Sequence, residues 1–145
     1  MQDNQERIEK IQYLQMIQNA ISRMSTSSAL FKGFSATIVA GISMVSYSQQ
    51  NTLVILLSFI PVILFAILDA YYLRLERKIR YLYKLVNADE HPCDFNMEFD
   101  LEKKNYKIAR VTKCDIIKSP SFYIFYPAMT LILLTVLGLK VGGII

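Results

Sequence analysis

The side chains best suited to chemistry in this sequence are a cluster of cations beside two tyrosines. Within residues 74–84, basic side chains recur at helical spacing, with Tyr81 and Tyr83 between them. The basic residues are Arg74, Arg77, Lys78, Arg80 and Lys84. Guanidinium and ammonium groups bind phosphates, and tyrosine rings stack on nucleobases. The cluster therefore predicts a site for a polyanion such as a nucleotide or single-stranded DNA.

The same charges have a simpler interpretation. Residues 74–118 hold eleven Lys and Arg, including the basic run 103–118, whereas the turn 48–52 holds none. Positive charge accumulates in the cytosolic loops of membrane proteins and attracts anionic lipid. Phosphate binding and lipid attraction both remain open from the sequence.

Catalytic and metal-binding patterns are weak. The single histidine, His91, and the two cysteines, Cys93 and Cys114, lack the spacing of a zinc site. The sequence also lacks a P-loop and a nucleophile elbow. We therefore expect a protein that is not an enzyme and that has no cofactor and no metal site.

An uncharged stretch organises the rest of the chain. Residues 33–68 contain no Asp, Glu, Lys, Arg or His, and the turn-forming residues 48–52 lie near their middle. Each half approaches the roughly 30 Å of a bilayer core at about 1.5 Å per helical residue. We predict two membrane-spanning helices, about 29–47 and 52–73, joined by a tight turn.

Lys32 and Asp69 close this stretch at its two ends. They are equidistant from the turn centre, so an antiparallel helical hairpin brings them to the same cytoplasmic level. A paired carboxylate at that depth is less costly than an isolated one. We predict an ion pair between them, with a structural rather than ion-conducting role for Asp69.

Small residues recur every four positions in the first span. Gly33, Thr37 and Gly41 would let another helix approach closely. That helix is either the chain's own second span or a helix of another subunit. Pro61 removes one hydrogen bond from the second span, and we interpret it as a structural kink.

A third span is predicted at 119–139, where Ser119 and Pro120 form a helix start.

Residues 3–28 have the apolar spacing of an amphipathic helix that lies on the membrane, packs on the chain's own cytosolic part or self-associates. Residues 95–101 alternate like a strand. The second span continues as a cytosolic helix beyond residue 73.

The charge distribution predicts the topology. The N-terminus and the basic middle are cytosolic, and the turn and the C-terminus lie outside. The predicted segments are a cytosolic helix at 1–28, a transmembrane hairpin at 29–73, a basic cytosolic segment at 74–118 and a third span with an outside C-terminus at 119–145. The fold class is an all-α integral membrane protein, and the polar first 28 residues do not resemble a signal peptide.

Three segments of the chain resemble a known family. Residues 13–42, 59–86 and the "CDFNM" of 93–97 resemble, in order, small bacterial three-span membrane proteins of anti-phage defence operons, among them the Hailong-type transmembrane effectors. The resemblance covers nearly half of the chain. One departure is Phe34, where the family often has Trp.

The resemblance implies an inner-membrane oligomeric channel that works with a nucleotidyltransferase. Short DNA made by that enzyme would hold the channel closed, and its loss would depolarise the cell. Polar side chains in the spans could line the pore; the candidates are Ser35, Thr37, Ser43 and Thr130. The alternative function is a non-conducting anchor that recruits a cytosolic partner.

Overall fold

The computed structural model describes residues 2–48, 52–97, 105 and 107–142. Its secondary structure is helical: α1 is Gln2–Ser48, α2 is Thr52–Asn87, α3 is Lys113–Ile117 and α4 is Pro120–Val141. The described residues contain no strand, which agrees with the predicted all-α class. Three helices, α1, α2 and α4, are long and apolar enough to cross a membrane.

Both long helices run through predicted boundaries without a break. The serine and threonine run 25–28 neither starts a new helix nor interrupts α1. Thr26 and Ser27 instead donate their hydroxyls to the carbonyls of Ser22 and Arg23, each at 3.0 Å. Such back-bonding satisfies a hydroxyl inside a helix. The second span likewise continues as α2 into the basic segment, as predicted.

The chain divides into two compact units. One, here called the polar unit, comprises Met1–Ser27 and Tyr72–Ile116, and the other, here called the apolar unit, comprises Ser28–Tyr71 and Ile117–Ile145. These limits lie within two residues of the predicted segment boundaries at 28, 73 and 118. The charge pattern that marked those boundaries therefore also separates the two packing units.

The core of the apolar unit brings its three helices together. Val39 of α1, Val62 of α2, and Tyr126 and Leu133 of α4 form one buried cluster. The Tyr126 hydroxyl donates to the carbonyl of Phe65 at 3.2 Å, which satisfies its polar end inside this core. Many large apolar side chains of the three helices remain exposed. Such a surface is compatible with a multi-pass membrane protein.

Among the described residues, the small-residue face of α1 does not pack against α2, which was one of the two partners that the sequence left open. A Cβ built on Gly33 or Gly41 would meet no described atom within 4 Å, and Thr37 is exposed. The face that does pack carries Ser35 and Val39. Gly33, Thr37 and Gly41 each lie two positions from one of these, about 200° around the helix.

The core of the polar unit joins the N-terminal part of α1 to the C-terminal part of α2. Tyr13, Ile17 and Ile21 pack against a buried stripe of α2. That stripe consists of Ile79, Leu82 and Val86. The N-terminal segment therefore packs on the cytosolic part predicted for its own chain, one of the three arrangements the sequence allowed.

The Lys10 side chain contacts the C-terminal end of α2. Its ammonium lies 2.6 Å from the Asp89 carboxylate and 3.3 Å from the carbonyl of Asn87, the last residue of the helix. A cation at this position satisfies an unpaired terminal carbonyl and complements the helix dipole.

Residues 92–97 have no regular secondary structure and are not a strand, and Cys93 and Met97 among them pack on the core that contains Tyr13 of α1. The Tyr13 hydroxyl donates to the carbonyl of Asn96 at 2.6 Å, and its ring lies 5.3 Å from that of Phe95. Phe95 has a φ of 55°, an uncommon conformation for a bulky residue. The remainder of the predicted alternating run, 98–101, lies outside the described residues.

The predicted effect of Tyr13→Phe isolates this contact. Burial, followed by the nearby negative charge of Asp94, raises the pKa of the Tyr13 phenol, which is therefore a donor at neutral pH and remains one into the alkaline range. Removing the hydroxyl should lower the free energy of unfolding by about 1 kcal/mol. Hydrogen exchange should also become faster in 93–97 and stay unchanged in α4. Unchanged exchange in 93–97 would contradict a role for this bond in holding the segment on α1.

Candidate functional site

A buried polar cluster lies in the apolar unit. Asp69 has no exposed surface, and its Oδ2 lies 2.6 Å from the Nζ of Lys32. Ser28 donates its hydroxyl to Oδ1 and accepts a hydrogen bond from Lys32 at 2.9 Å. The structure therefore brings Lys32 and Asp69 together as predicted and adds a bridging hydroxyl that the sequence analysis missed.

Helix geometry explains why Ser28 completes this cluster. Ser28 and Lys32 are four positions apart on α1 and so lie on one face, one turn apart. That face packs against α2, where Asp69 is buried. The spacing of Ser28 and Lys32 could have identified the serine. The cluster of one cation, one anion and one hydroxyl is neutral overall: Oδ1 of Asp69 accepts a hydrogen bond, and Oδ2 is balanced by the charge of Lys32.

The predicted polyanion site coincides in part with a groove in the polar unit. The groove has a volume of about 810 Å³ and lies between α1, α2 and residues 108–110. We call it the basic groove. Its lining residues are Gln18, Ile21, Arg77, Arg80, Tyr81, Tyr83, Lys84, Ile108, Ala109 and Arg110.

The cations of the basic groove differ in how far they are engaged. Arg80 forms an ion pair with the largely buried Glu76 at 2.7 Å. Arg77 donates to two backbone carbonyls of the neighbouring wall. Among the described residues, neither the Lys84 nor the Arg110 side chain has a hydrogen bond or an ion pair. These two are therefore the groove cations most available to a ligand.

Two residues of the predicted cluster lie elsewhere. Arg74 and Lys78 do not line the basic groove. Arg74 precedes the groove residues on α2, and Lys78 lies between Arg77 and Arg80 in the chain but on another face of the helix. Arg110 enters the groove from a separate stretch of chain, and in the sequence it stands out only as a member of the basic run 103–118. Its place depends on the fold of 107–111, which residue spacing does not define.

Tyr81 and Tyr83 both line the groove and are both half-buried. Tyr81 packs against the buried Ala109 and Val111, while Tyr83 packs against the core of the polar unit. The groove thus combines cationic groups with two fixed aromatic rings. That combination suits phosphate contact and base stacking in one ligand.

The candidate pore residues are in different environments. Ser35 is fully buried, and its hydroxyl has no hydrogen-bond partner among the described residues. Thr37, Ser43 and Thr130 bond to carbonyls of their own helices. Since Ser35 is enclosed by its own unit, it does not line a pore in this arrangement, and that expectation is wrong.

Within the described residues, no three His, Cys, Asp or Glu side chains are grouped to hold a metal ion. Comparisons with protein families, with curated proteins and with solved structures found no match to this chain. The features that bear on function are the geometry of the basic groove and three helices long and apolar enough to cross a membrane.

Proposed function

We propose that this protein is an oligomeric membrane effector whose permeability is controlled by a polyanion bound in the basic groove. In this proposal α1, α2 and α4 cross the bacterial inner membrane, with the polar unit in the cytosol. The ligand is a nucleotide or a short single-stranded nucleic acid made by a partner nucleotidyltransferase. Its loss opens a pore that depolarises the cell during anti-phage defence.

The observation that carries the proposal is the pairing of available cations with aromatic rings in one groove. Lys84 and Arg110 have no counter-ion among the described residues, and Tyr81 and Tyr83 lie beside them. A merely solvated basic surface needs neither a concavity nor rings. The resemblance to three-span defence effectors independently supports a regulatory ligand of this class.

The oligomer is proposed from the outward face of α1. Gly33, Thr37 and Gly41 leave open space beside the helix within the protomer. Small residues at this spacing favour close helix pairing in membranes. The described part of one protomer supplies three helices long and apolar enough to cross a membrane, and three such helices do not enclose an aqueous path, so a pore requires several copies.

We expect Gly33→Leu combined with Gly41→Leu to disrupt assembly and leave the protomer folded. Both glycines are exposed and a Cβ there meets no described atom within 4 Å, so we expect the protomer to accept leucine, whereas leucine would separate two helices in close contact. Cross-linking in native membranes should show loss of higher species, with wild-type protomer stability. Exposed Leu56→Ile on α2 is the control. Unchanged cross-linking in the double variant would remove this face as the interface.

Ion flux tests the proposed function directly. Purified protein in liposomes should conduct, and adding a short single-stranded oligonucleotide should alter that flux at low salt. Raising the salt concentration should weaken the effect, because oligonucleotide binding displaces counter-ions. A non-conducting anchor, the alternative function, would leave the liposomes sealed with or without oligonucleotide.

A further inference from the structure

We infer that Arg77 is a positioning residue that holds one wall of the basic groove, rather than a contact for the ligand. The inference rests on the proposed function, since it concerns how the groove is made ready for a polyanion. The sequence pattern groups Arg77 with the other cations of α2. Its contacts in the structure separate it from them.

Arg77 contacts the opposite wall through backbone atoms. Its Nη1 donates to the carbonyl of Arg110 at 2.8 Å and to the carbonyl of Asp115 at 3.0 Å. Hydrogen bonds from a charged donor are stronger than those between neutral groups. One guanidinium therefore joins α2 to both ends of the short stretch 110–115.

This stretch determines where the Arg110 side chain lies. Arg110 has a φ of 52°, in the left-handed region that non-glycine residues seldom adopt. Its neighbours Ala109 and Val111 are buried beside Tyr81, while Arg110 itself is exposed in the groove. A strained residue between two buried ones requires external support, and Arg77 bonds to that residue's own carbonyl.

The guanidinium of Arg77 is therefore engaged within the fold, whereas that of Arg110 is available to a ligand. With Nη1 shared between two carbonyls, part of its donor capacity is used within the fold. Arg110 has no side-chain partner among the described residues. In this arrangement the ligand contacts Arg110, and Arg77 acts through it.

A double-mutant cycle distinguishes positioning from direct contact. The probe is a short fluorescent single-stranded oligonucleotide, and the protein is the full chain in nanodiscs. Arg77→Gln and Arg110→Gln should each weaken binding by roughly tenfold. The double variant should bind no more weakly than either single one, because both changes remove the same contact. The salt slope should fall by about 0.7, one phosphate contact, in all three.

Direct contact would give a different result. If Arg77 binds a phosphate itself, the two losses should multiply to roughly a hundredfold and the salt slope should fall by about 1.4 in the double variant. That result would overturn the inference. Arg74→Gln is the matched control, since Arg74 is an exposed cation of the same helix that does not line the groove, and binding should stay near wild type. The losses of affinity caused by Lys84→Gln and by Arg77→Gln should multiply in the double variant, since those two residues act independently.

Hydrogen exchange separates a failed inference from a failed function. Arg77→Gln should speed exchange of the 107–111 amides, two of which bond to the carbonyls of Asn105 and Lys107, whereas Lys84→Gln should not. Faster exchange in Arg77→Gln, with no oligonucleotide binding to the wild type or to any variant, would overturn the proposed function but not the positioning role of Arg77. Unchanged exchange in Arg77→Gln would overturn that positioning role. Arg77→Lys, which keeps the charge on a shorter chain, serves the same tests if Arg77→Gln does not fold.

Discussion

Replacing Asp69 with asparagine is expected to destabilise the protein by about 3–5 kcal/mol. Asparagine has nearly the same shape and can still accept the hydrogen bond from Ser28, so the change removes chiefly the charge. The Lys32 side chain is only 15% exposed and would lose its counter-ion at 2.6 Å. An uncompensated buried ammonium is far more costly than a missing hydrogen bond. Unfolding in mixed micelles, followed by circular dichroism, measures the loss.

Charge reversal identifies the cause of that loss. Lys32→Asp and Asp69→Lys should each be severely destabilising, and the double reversal should recover a large part of the stability. Arg74→Gln removes an exposed cation of α2 and should change stability by less than about 1 kcal/mol. If the double reversal were as unstable as either single variant, the ion pair would not be the interaction that holds α1 and α2 together here.

The second large effect is expected in the basic groove. Changing Lys84 and Arg110 together to glutamine should weaken binding of a single-stranded oligonucleotide by about a hundredfold or more. Both cations line the groove, and neither side chain has a hydrogen bond or an ion pair among the described residues. The slope of log K against log salt should fall by about 1.4, as for two phosphate contacts. Fluorescence anisotropy over a salt series gives both quantities.

The chain offers a control of equal charge. Arg74→Gln with Lys78→Gln removes the same two positive charges from α2 residues that do not line the groove. Oligonucleotide binding should stay within a few-fold of wild type in this control. If both double variants lose binding equally, the oligonucleotide is attracted by the overall positive charge of the basic segment rather than by specific residues. That result would favour the interpretation in which these charges reflect a cytosolic location and attraction to anionic lipid. The groove would then not be a ligand site.

The parts of the fold that the sequence predicted are those set by charge. Long runs without ionisable groups fix where helices can cross a bilayer, and the charges that end those runs fix which ends meet. Lys32 and Asp69 could be paired for this reason, because each is isolated from other charges on the apolar side of its helix. The division between the two units follows the same change in composition.

The sequence did not determine which neighbour each helix face meets, nor the backbone conformation of the loop that holds Arg110. Periodicity shows that Gly33, Thr37 and Gly41 share a face of α1, but it does not show what that face meets. The packing side is set by Val39 fitting between α2 and α4, a property of three helices together. Arg110 reaches the groove through a left-handed backbone conformation. A sequence does not predict that conformation at an arginine, because non-glycine residues seldom adopt it.

Accessibility of the native thiol Cys114 tests the account most directly. Cys114 is exposed at the start of α3, within the segment proposed to face the cytosol. With Cys93→Ser leaving one thiol, a membrane-impermeant maleimide should label Cys114 only after the inner membrane is permeabilised. A cysteine at exposed Gly142, in a variant lacking both native thiols, should be labelled without permeabilising that membrane. Labelling of Cys114 with the inner membrane intact would contradict the account.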